Sequence, residues 1–138
     1  MSAHPQFSLL RTVLVVDDAE DCAATIEIAL QSVAGLAVRV AASAEDALRL
    51  LGEDHIAAIV TDLHLPSMDG LELVARVRAA ARHSCTPIVV VSGDSDPATP
   101  ERVMRAGANA FFAKPYSPSA VRKKLEELTK MGGPDGSR

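Results

Sequence analysis

Short apolar runs alternate with longer stretches of helical period along this chain. The runs cover residues 13–16, 37–41, 57–60, 88–91 and 110–113. The first, third and fourth are almost unbroken in Val, Leu, Ile and Ala. Strands covered by helices on both sides read this way, because neither face of the strand meets water. The stretches between them repeat at three and four. Residues 19–33 set Ile26, Leu30 and Val33 on one face. Residues 44–52 follow Ser43, with Asp46 three positions on, a variant of the capping box. Residues 70–81 carry Leu71, Leu73, Val74 and Val77. Residues 100–106 follow Thr99 as N-cap and run into Gly107, the residue type favoured just past a helix end. A last helix starts at Ser117 and Pro118 and aligns Val121, Leu125 and Leu128.

Five strand-then-helix units in succession predict an α/β fold: a doubly wound, five-stranded parallel sheet with five helices. One domain over residues 10–131 is expected, with an N-terminal arm at 1–9 and a disordered tail at 132–138, which holds Gly, Pro, Asp and Ser but no large apolar residue. Composition fits this picture. At 138 residues the chain suits one domain, and 48% hydrophobic content supports a core, built from aliphatic side chains because only 3% is aromatic. A net charge of −4 argues against a basic nucleic-acid surface. Cys22 and Cys85 match no metal spacing and are expected to be buried free thiols, which suits a reducing cytoplasm. His4 falls in the arm, and His55 and His83, near helix ends, are expected to face solvent. The helix charges Arg122, Lys123, Lys124, Glu126 and Glu127 form a solvated face. Neither a secretory signal nor a run of about 18 apolar residues is present, so a cytoplasmic protein without a membrane partner is expected.

In open parallel sheets, ligands bind beyond the carboxyl ends of the strands. Asp17 and Asp18 follow the first strand, Asp62 ends the third, Ser92 and Gly93 end the fourth, and Lys114 follows the fifth. Taken singly, these residues are ordinary: the aspartates suit helix caps and turns, and the lysine suits a surface. Their joint placement puts three carboxylates, a hydroxyl and an ammonium on one rim. Crowded carboxylates raise one another's pKa, and a hard divalent ion with oxygen ligands, such as Mg²⁺, relieves that repulsion. An ionised Asp62 can attack phosphorus without a general base. Phosphoryl transfer chiefly needs positioning and charge neutralisation; Lys114 brings charge, Ser92 a hydrogen-bond donor, and Gly93 room for a donor to approach.

The residues so arranged resemble the receiver domain of bacterial two-component response regulators. The resemblance covers about residues 10–130. It rests on the strand 13–16 with Asp17 and Asp18, on segment 61–70 with Asp62, Pro66, Asp69 and Gly70, on strand 87–93 with Ser92, and on segment 107–116 with Lys114 and Pro115. It implies the flavodoxin-like strand order 2-1-3-4-5. It implies Asp62 as phosphoacceptor and Asp18, Asp17, Asp62 and the backbone carbonyl of His64 around Mg²⁺. Ser92 and Lys114 would contact the phosphoryl group, Phe111 would be the aromatic switch partner of Ser92, and the Lys114–Pro115 bond would be cis. Two positions depart from the family's frequent pattern. Ser replaces Thr at 92 and keeps the hydroxyl. Phe replaces Tyr at 111, so any ring movement rests on packing.

The resemblance implies a signalling switch of a two-component system, in the manner of a single-domain chemotaxis regulator. A histidine kinase or phosphotransfer protein donates the phosphoryl group, and the face made by the fourth helix, fifth strand and fifth helix controls a downstream protein. Such a protein is no enzyme in the usual sense, although it catalyses its own phosphorylation and dephosphorylation. It acts as a monomer or as a phosphorylation-dependent dimer, without direct nucleic-acid contact. Two other readings stay open. An aspartyl-phosphate phosphohydrolase would want a second acid at the place of His64, and a flavin module would want a Ser/Thr/Gly-rich loop where Asp17 and Asp18 stand. His64 lies two residues past Asp62, on the same side of an extended segment, so its ring is expected to lean over the phosphoryl group.

Overall fold

In a computed structural model, which describes residues 11–53 and 55–129, the five runs form one parallel sheet in the order β2-β1-β3-β4-β5. The strands are β1 (Arg11–Val16), β2 (Leu36–Ala41), β3 (Ile56–Asp62), β4 (Ile88–Ser92) and β5 (Ala110–Ala113). The α-helices among the described residues are α1 (Glu20–Leu30), α2 (Ala44–Glu53), α3 (Gly70–Ala79), α4 (Thr99–Ala106) and α5 (Pro118–Thr129), with a 3-10 turn at Ala81–His83. The expected arm at 1–9, with His4, and the tail at 132–138 lie outside the described residues.

Alternate residues of each strand face opposite sides of the sheet, and both sides are apolar. Leu14, Val16, Ile59, Ile88 and Val90 pack with Leu50, Leu51, Leu73, Val74, Val77 and Val103 of α2, α3 and α4. Val13, Val15, Ala58, Val60, Val89 and Val91 pack with Ala23, Ile26, Leu30, Val121 and Leu125 of α1 and α5. Each fully buried Val, Leu or Ile contributes about 1.5–3 kcal/mol. Burial on both faces therefore holds β1, β3 and β4 rigidly and fixes what stands at their carboxyl ends.

Several boundaries differ from expectation for local reasons. Helix α1 stops at Leu30, because the chain turns through Gly35 at φ 79° into β2; Val33 is buried in that turn. The third strand runs past Val60 to Asp62, since Thr61 and Asp62 stay in register with Val90 and Val91 of β4. Helix α3 ends at Ala79 instead of continuing to 81. Thr99 is not the N-cap of α4. Ala98 holds that place without a side-chain bond, and Thr99 is a fully buried residue inside the helix. Ser43 does cap α2, accepting the Asp46 N–H at 3.1 Å, and Ser117 accepts the Ala120 N–H at 3.3 Å at the start of α5.

Candidate functional site

The ends of β1, β3, β4 and β5 deliver the groups of the site. Asp17 follows β1 and is 3% exposed; Asp62 closes β3 and is 7% exposed; Ser92 closes β4 and is fully buried. Lys114 follows β5, where its N–H donates to the Ser92 carbonyl at 2.8 Å, so the hydroxyl and the ammonium are tied by backbone. The Lys114–Pro115 bond is cis, as the resemblance implies.

The side chains meet at Asp62. Its Oδ2 accepts from Lys114 Nζ at 2.7 Å and its Oδ1 from the His64 N–H at 3.0 Å, which fixes the orientation of the carboxylate. Lys114 Nζ also lies 3.9 Å from Asp17 Oδ2. Burial works against the ammonium, but the hydrogen bond and charge of Asp62, and then the charge of Asp17, outweigh it, so the Lys114 pKa stands above its ordinary value. Asp17 Oδ1 accepts the Ala19 N–H at 2.9 Å. Its Oδ2 is buried without a hydrogen bond. Burial pushes the Asp17 pKa up; the Ala19 N–H and the Lys114 charge oppose this, and the charges of Asp62 and Asp18 add to the rise. Asp18 is exposed beside it.

A buried carboxylate oxygen without a hydrogen bond, sharing one ammonium with Asp62 and lying beside two further acids, is short of positive charge, and hard oxygen donors suit a divalent ion such as Mg²⁺. The residues present therefore fit that ion, although no group of three His, Cys, Asp or Glu side chains stands ready to hold a metal among the described residues. The set expected from the sequence includes a backbone carbonyl, that of His64, as its further oxygen.

The His64 side chain extends from the Asp62 loop toward the loop that follows Ser92. It is 65% exposed and reaches toward Asp94, with Nε2 at 3.5 Å from Oδ2. The Asp96 N–H holds the Asp94 carboxyl below its ordinary range, and the Thr99 hydroxyl and then His64 add to that effect. Phe111 is partly buried against the core beneath α2, α3 and α4. A Cβ on Gly93 would meet only Lys114 side-chain carbons, at 4.0 Å, so no protein contact demands glycine there.

Three features escaped the sequence reading. A Cβ on Gly70 would lie 2.6 Å from the Asp62 carbonyl oxygen and 2.8 Å from Leu63 Cα, while the Gly70 N–H donates to the Leu63 carbonyl at 2.7 Å. The start of α3 thus closes directly on the Asp62 loop; the Asp69-Gly70 pair was the available signal. Cys22 is only partly buried, with its Sγ 3.8 Å from Lys114 Nζ, and Cys85 is exposed, so both are free but neither is the buried thiol expected. His83 is 5% exposed rather than solvated, because Nε2 meets the Leu51 carbonyl and Nδ1 the Thr86 hydroxyl, both at 3.1 Å. His55 is exposed, as expected.

A parallel doubly wound sheet with an acid pair, a buried aspartate, a hydroxyl and a lysine on one rim defines an α/β domain with an acidic site at the carboxyl edge of its sheet. The chain belongs to the response regulator receiver domain family, whose sequence model matches residues 13–126. It is 31% identical over 126 residues to the chemotaxis protein CheY homolog of Campylobacter jejuni, covering 91% of this chain and 97% of that one. It is 34% identical over 118 residues to the sensory/regulatory protein RpfC of Xanthomonas campestris, covering 84% of this chain but 16% of RpfC. Among solved structures, chemotaxis response regulator CheY4 of Vibrio cholerae superposes with a TM-score of 0.78 at 28% identity, over 86% of this chain and 98% of that chain. A CheY-like receiver domain protein from Methanospirillum hungatei gives 0.75 at 26%, over 88% and 98%.

Proposed function

We propose that this receiver domain is switched by phosphorylation of Asp62. The observation that carries the reading is the Asp62 carboxylate held between Lys114 Nζ and the His64 N–H, beside the buried Asp17 Oδ2 that has no hydrogen bond. A histidine kinase or phosphotransfer protein is the donor. An Asp62 oxygen forms a bond to phosphorus as the bond from phosphorus to the donor imidazole breaks, and the imidazole leaves with that electron pair. Held by Asp17, Asp18, Asp62 and the His64 carbonyl, Mg²⁺ would supply positive charge to the phosphoryl oxygens. Lys114 supplies further charge and moves from the carboxylate to a phosphoryl oxygen. Ser92 turns its hydroxyl toward another, and Phe111 follows into the space Ser92 leaves.

The outcome is a population shift driven by contacts that exist only with the phosphoryl group. It alters the face of α4, β5 and α5, which binds a downstream protein as a monomer or through a phosphorylation-dependent dimer. No described helix is long and apolar enough to cross a membrane, and a cytoplasmic site of action suits the reading. Turnover of external phosphate esters is not part of it, since His64 stands where a phosphohydrolase would carry its second acid.

Intact-mass analysis with acetyl phosphate tests the assignment. Wild-type protein gains one phosphoryl group in the presence of Mg²⁺, and neither Asp62→Asn nor metal-free wild type does. Equal labelling of wild type and Asp62→Asn would sink it.

A further inference from the structure

The loop from Ser92 to α4 is held by a ladder of side-chain oxygens. The Asp94 N–H donates to Ser92 Oγ at 3.0 Å, the Asp96 N–H to Asp94 Oδ1 at 2.9 Å, and the Ala98 N–H to Asp96 Oδ1 at 2.9 Å. The Asp96 carbonyl then accepts the N–H of Thr99, the first residue of α4, at 3.0 Å. Each side-chain rung spans two residues, as Asx and Ser/Thr turns do. Pro97 has no N–H and a fixed φ, so the loop cannot replace a lost rung with a donor at that position. Ala98 offers α4 no side-chain cap, and the helix buries only Thr99 and Val103. Asp96 therefore seats the start of α4 through both its side chain and its carbonyl, and the Asp94 carboxylate adds a contact with the Thr99 hydroxyl.

We propose that Asp96 is a positioning residue that transmits the state of the Ser92 hydroxyl to the N-terminus of α4. This rests on the reading of Asp62 as phosphoacceptor and Ser92 as its sensor. Ser92 Oγ is the acceptor that sets the first rung. When the hydroxyl turns toward a phosphoryl group on Asp62, the Asp94 N–H loses that acceptor and the turn around Asp94 opens. Asp94 Oδ1 then leaves the Asp96 N–H, and Asp96 shifts the two bonds that seat Ala98 and Thr99. Helix α4 moves with them, carrying the exposed Met104 and its neighbours Arg102 and Arg105. Asp96 is exposed and touches neither the acids nor Lys114 among its hydrogen-bond partners, so it acts only through the ladder.

Amide NMR on the full chain with Mg²⁺ and beryllofluoride, a phosphoryl mimic, tests this. The Gly93 amide reports Ser92, and the amides of Arg102, Met104 and Arg105 report α4. In wild type both sets shift. In Asp96→Ala, Gly93 shifts as in wild type, while the α4 response falls about fivefold, the scale of losing one coupled hydrogen bond. Asp96→Asn keeps the Oδ1 acceptor and restores the α4 response. Asp94→Ala cuts the ladder one rung earlier and gives the same split, which keeps the test sound should α4 fray in Asp96→Ala. A mere cap would lower α4 stability in both states and leave the response at full size; that result overturns the proposal, as does failure of Asp96→Asn to restore it. If Gly93 itself stays still in wild type, the sensor role of Ser92 falls and the relay with it. If Gly93 shifts in wild type and α4 does not, the relay alone falls.

Discussion

At the carboxyl end of the sheet, Asp17 and Asp62 share one ammonium, that of Lys114, and Asp17 Oδ2 is left buried without a hydrogen bond. At the amino end, Arg78 reaches from α3 across the start of β5. Its Nε donates to the Gly107 carbonyl at 2.9 Å, Nη1 to the His83 carbonyl at 3.1 Å and Nη2 to Asn109 Oδ1 at 2.9 Å. Asn109 Oδ1 also accepts the Ile88 N–H at 2.8 Å, and both ring nitrogens of His83 are engaged. Both clusters are polar and combine buried groups with exposed ones, such as His83 and Asn109 at the amino end and Asp17 and Asp18 at the carboxyl end. One satisfies its groups and closes the sheet; the other keeps like charges close and an acceptor open. The difference separates stability from function, because groups held short of partners are those that gain most from a ligand.

Substitutions at the two ends sharpen this contrast. Arg78→Ala removes three hydrogen bonds and leaves acceptors under-satisfied. It should cost about 2–4 kcal/mol in urea unfolding while leaving the rate of acetyl phosphate labelling near wild type. An unchanged unfolding midpoint would mean that the amino-end network is decorative. Gly70→Ala forces a methyl against the Asp62 carbonyl. It should cost about 1–3 kcal/mol and also slow labelling, since the loop carrying Asp62 must shift; slower labelling is what separates it from Arg78→Ala.

Asp17→Asn should act in the other direction, raising stability at pH 7 by about 1 kcal/mol while weakening Mg²⁺ dependence. The sign follows from linkage. The folded pKa of Asp17 is raised, so its contribution is most favourable below the ordinary carboxylate pKa and is lost as pH rises through the folded value. The variant lacks that loss, and its stability should fall less than wild type as pH rises out of the acid range. A destabilised Asp17→Asn at neutral pH would contradict the account of a rim held under repulsion. The smallest effect is expected at His64, whose exposed ring pairs with Asp94. His64→Ala should change phospho-Asp62 lifetime by less than about tenfold, or about 1.4 kcal/mol in barrier, measured as decay of phosphoprotein mass at fixed Mg²⁺.

The sequence by itself determined the order of elements, the doubly wound sheet and the rim. Apolar periodicity decides which residues must leave water, and the right-handed crossover rule then fixes which strand ends meet. Asp17, Asp18, Asp62, Ser92 and Lys114 were legible for that reason, each standing at the end of a run. Tertiary structure alone decided which way side chains between elements turn. His64 alternates toward one side of an ending strand, yet its ring goes to Asp94 on the neighbouring loop. Thr99 reads as a cap from its place before Pro100, but the helix starts one residue earlier, with Ala98 as N-cap, and Thr99 is drawn into the core. His83 reads as solvated until the end of α2 brings the Leu51 carbonyl to its ring. Gly70 reads as the start of a helix, and only the packing of α3 onto the Asp62 loop shows that a methyl group has no room there. In each case a partner far away or in a neighbouring loop supplies the competing hydrogen bond or contact, and no local pattern encodes its distance.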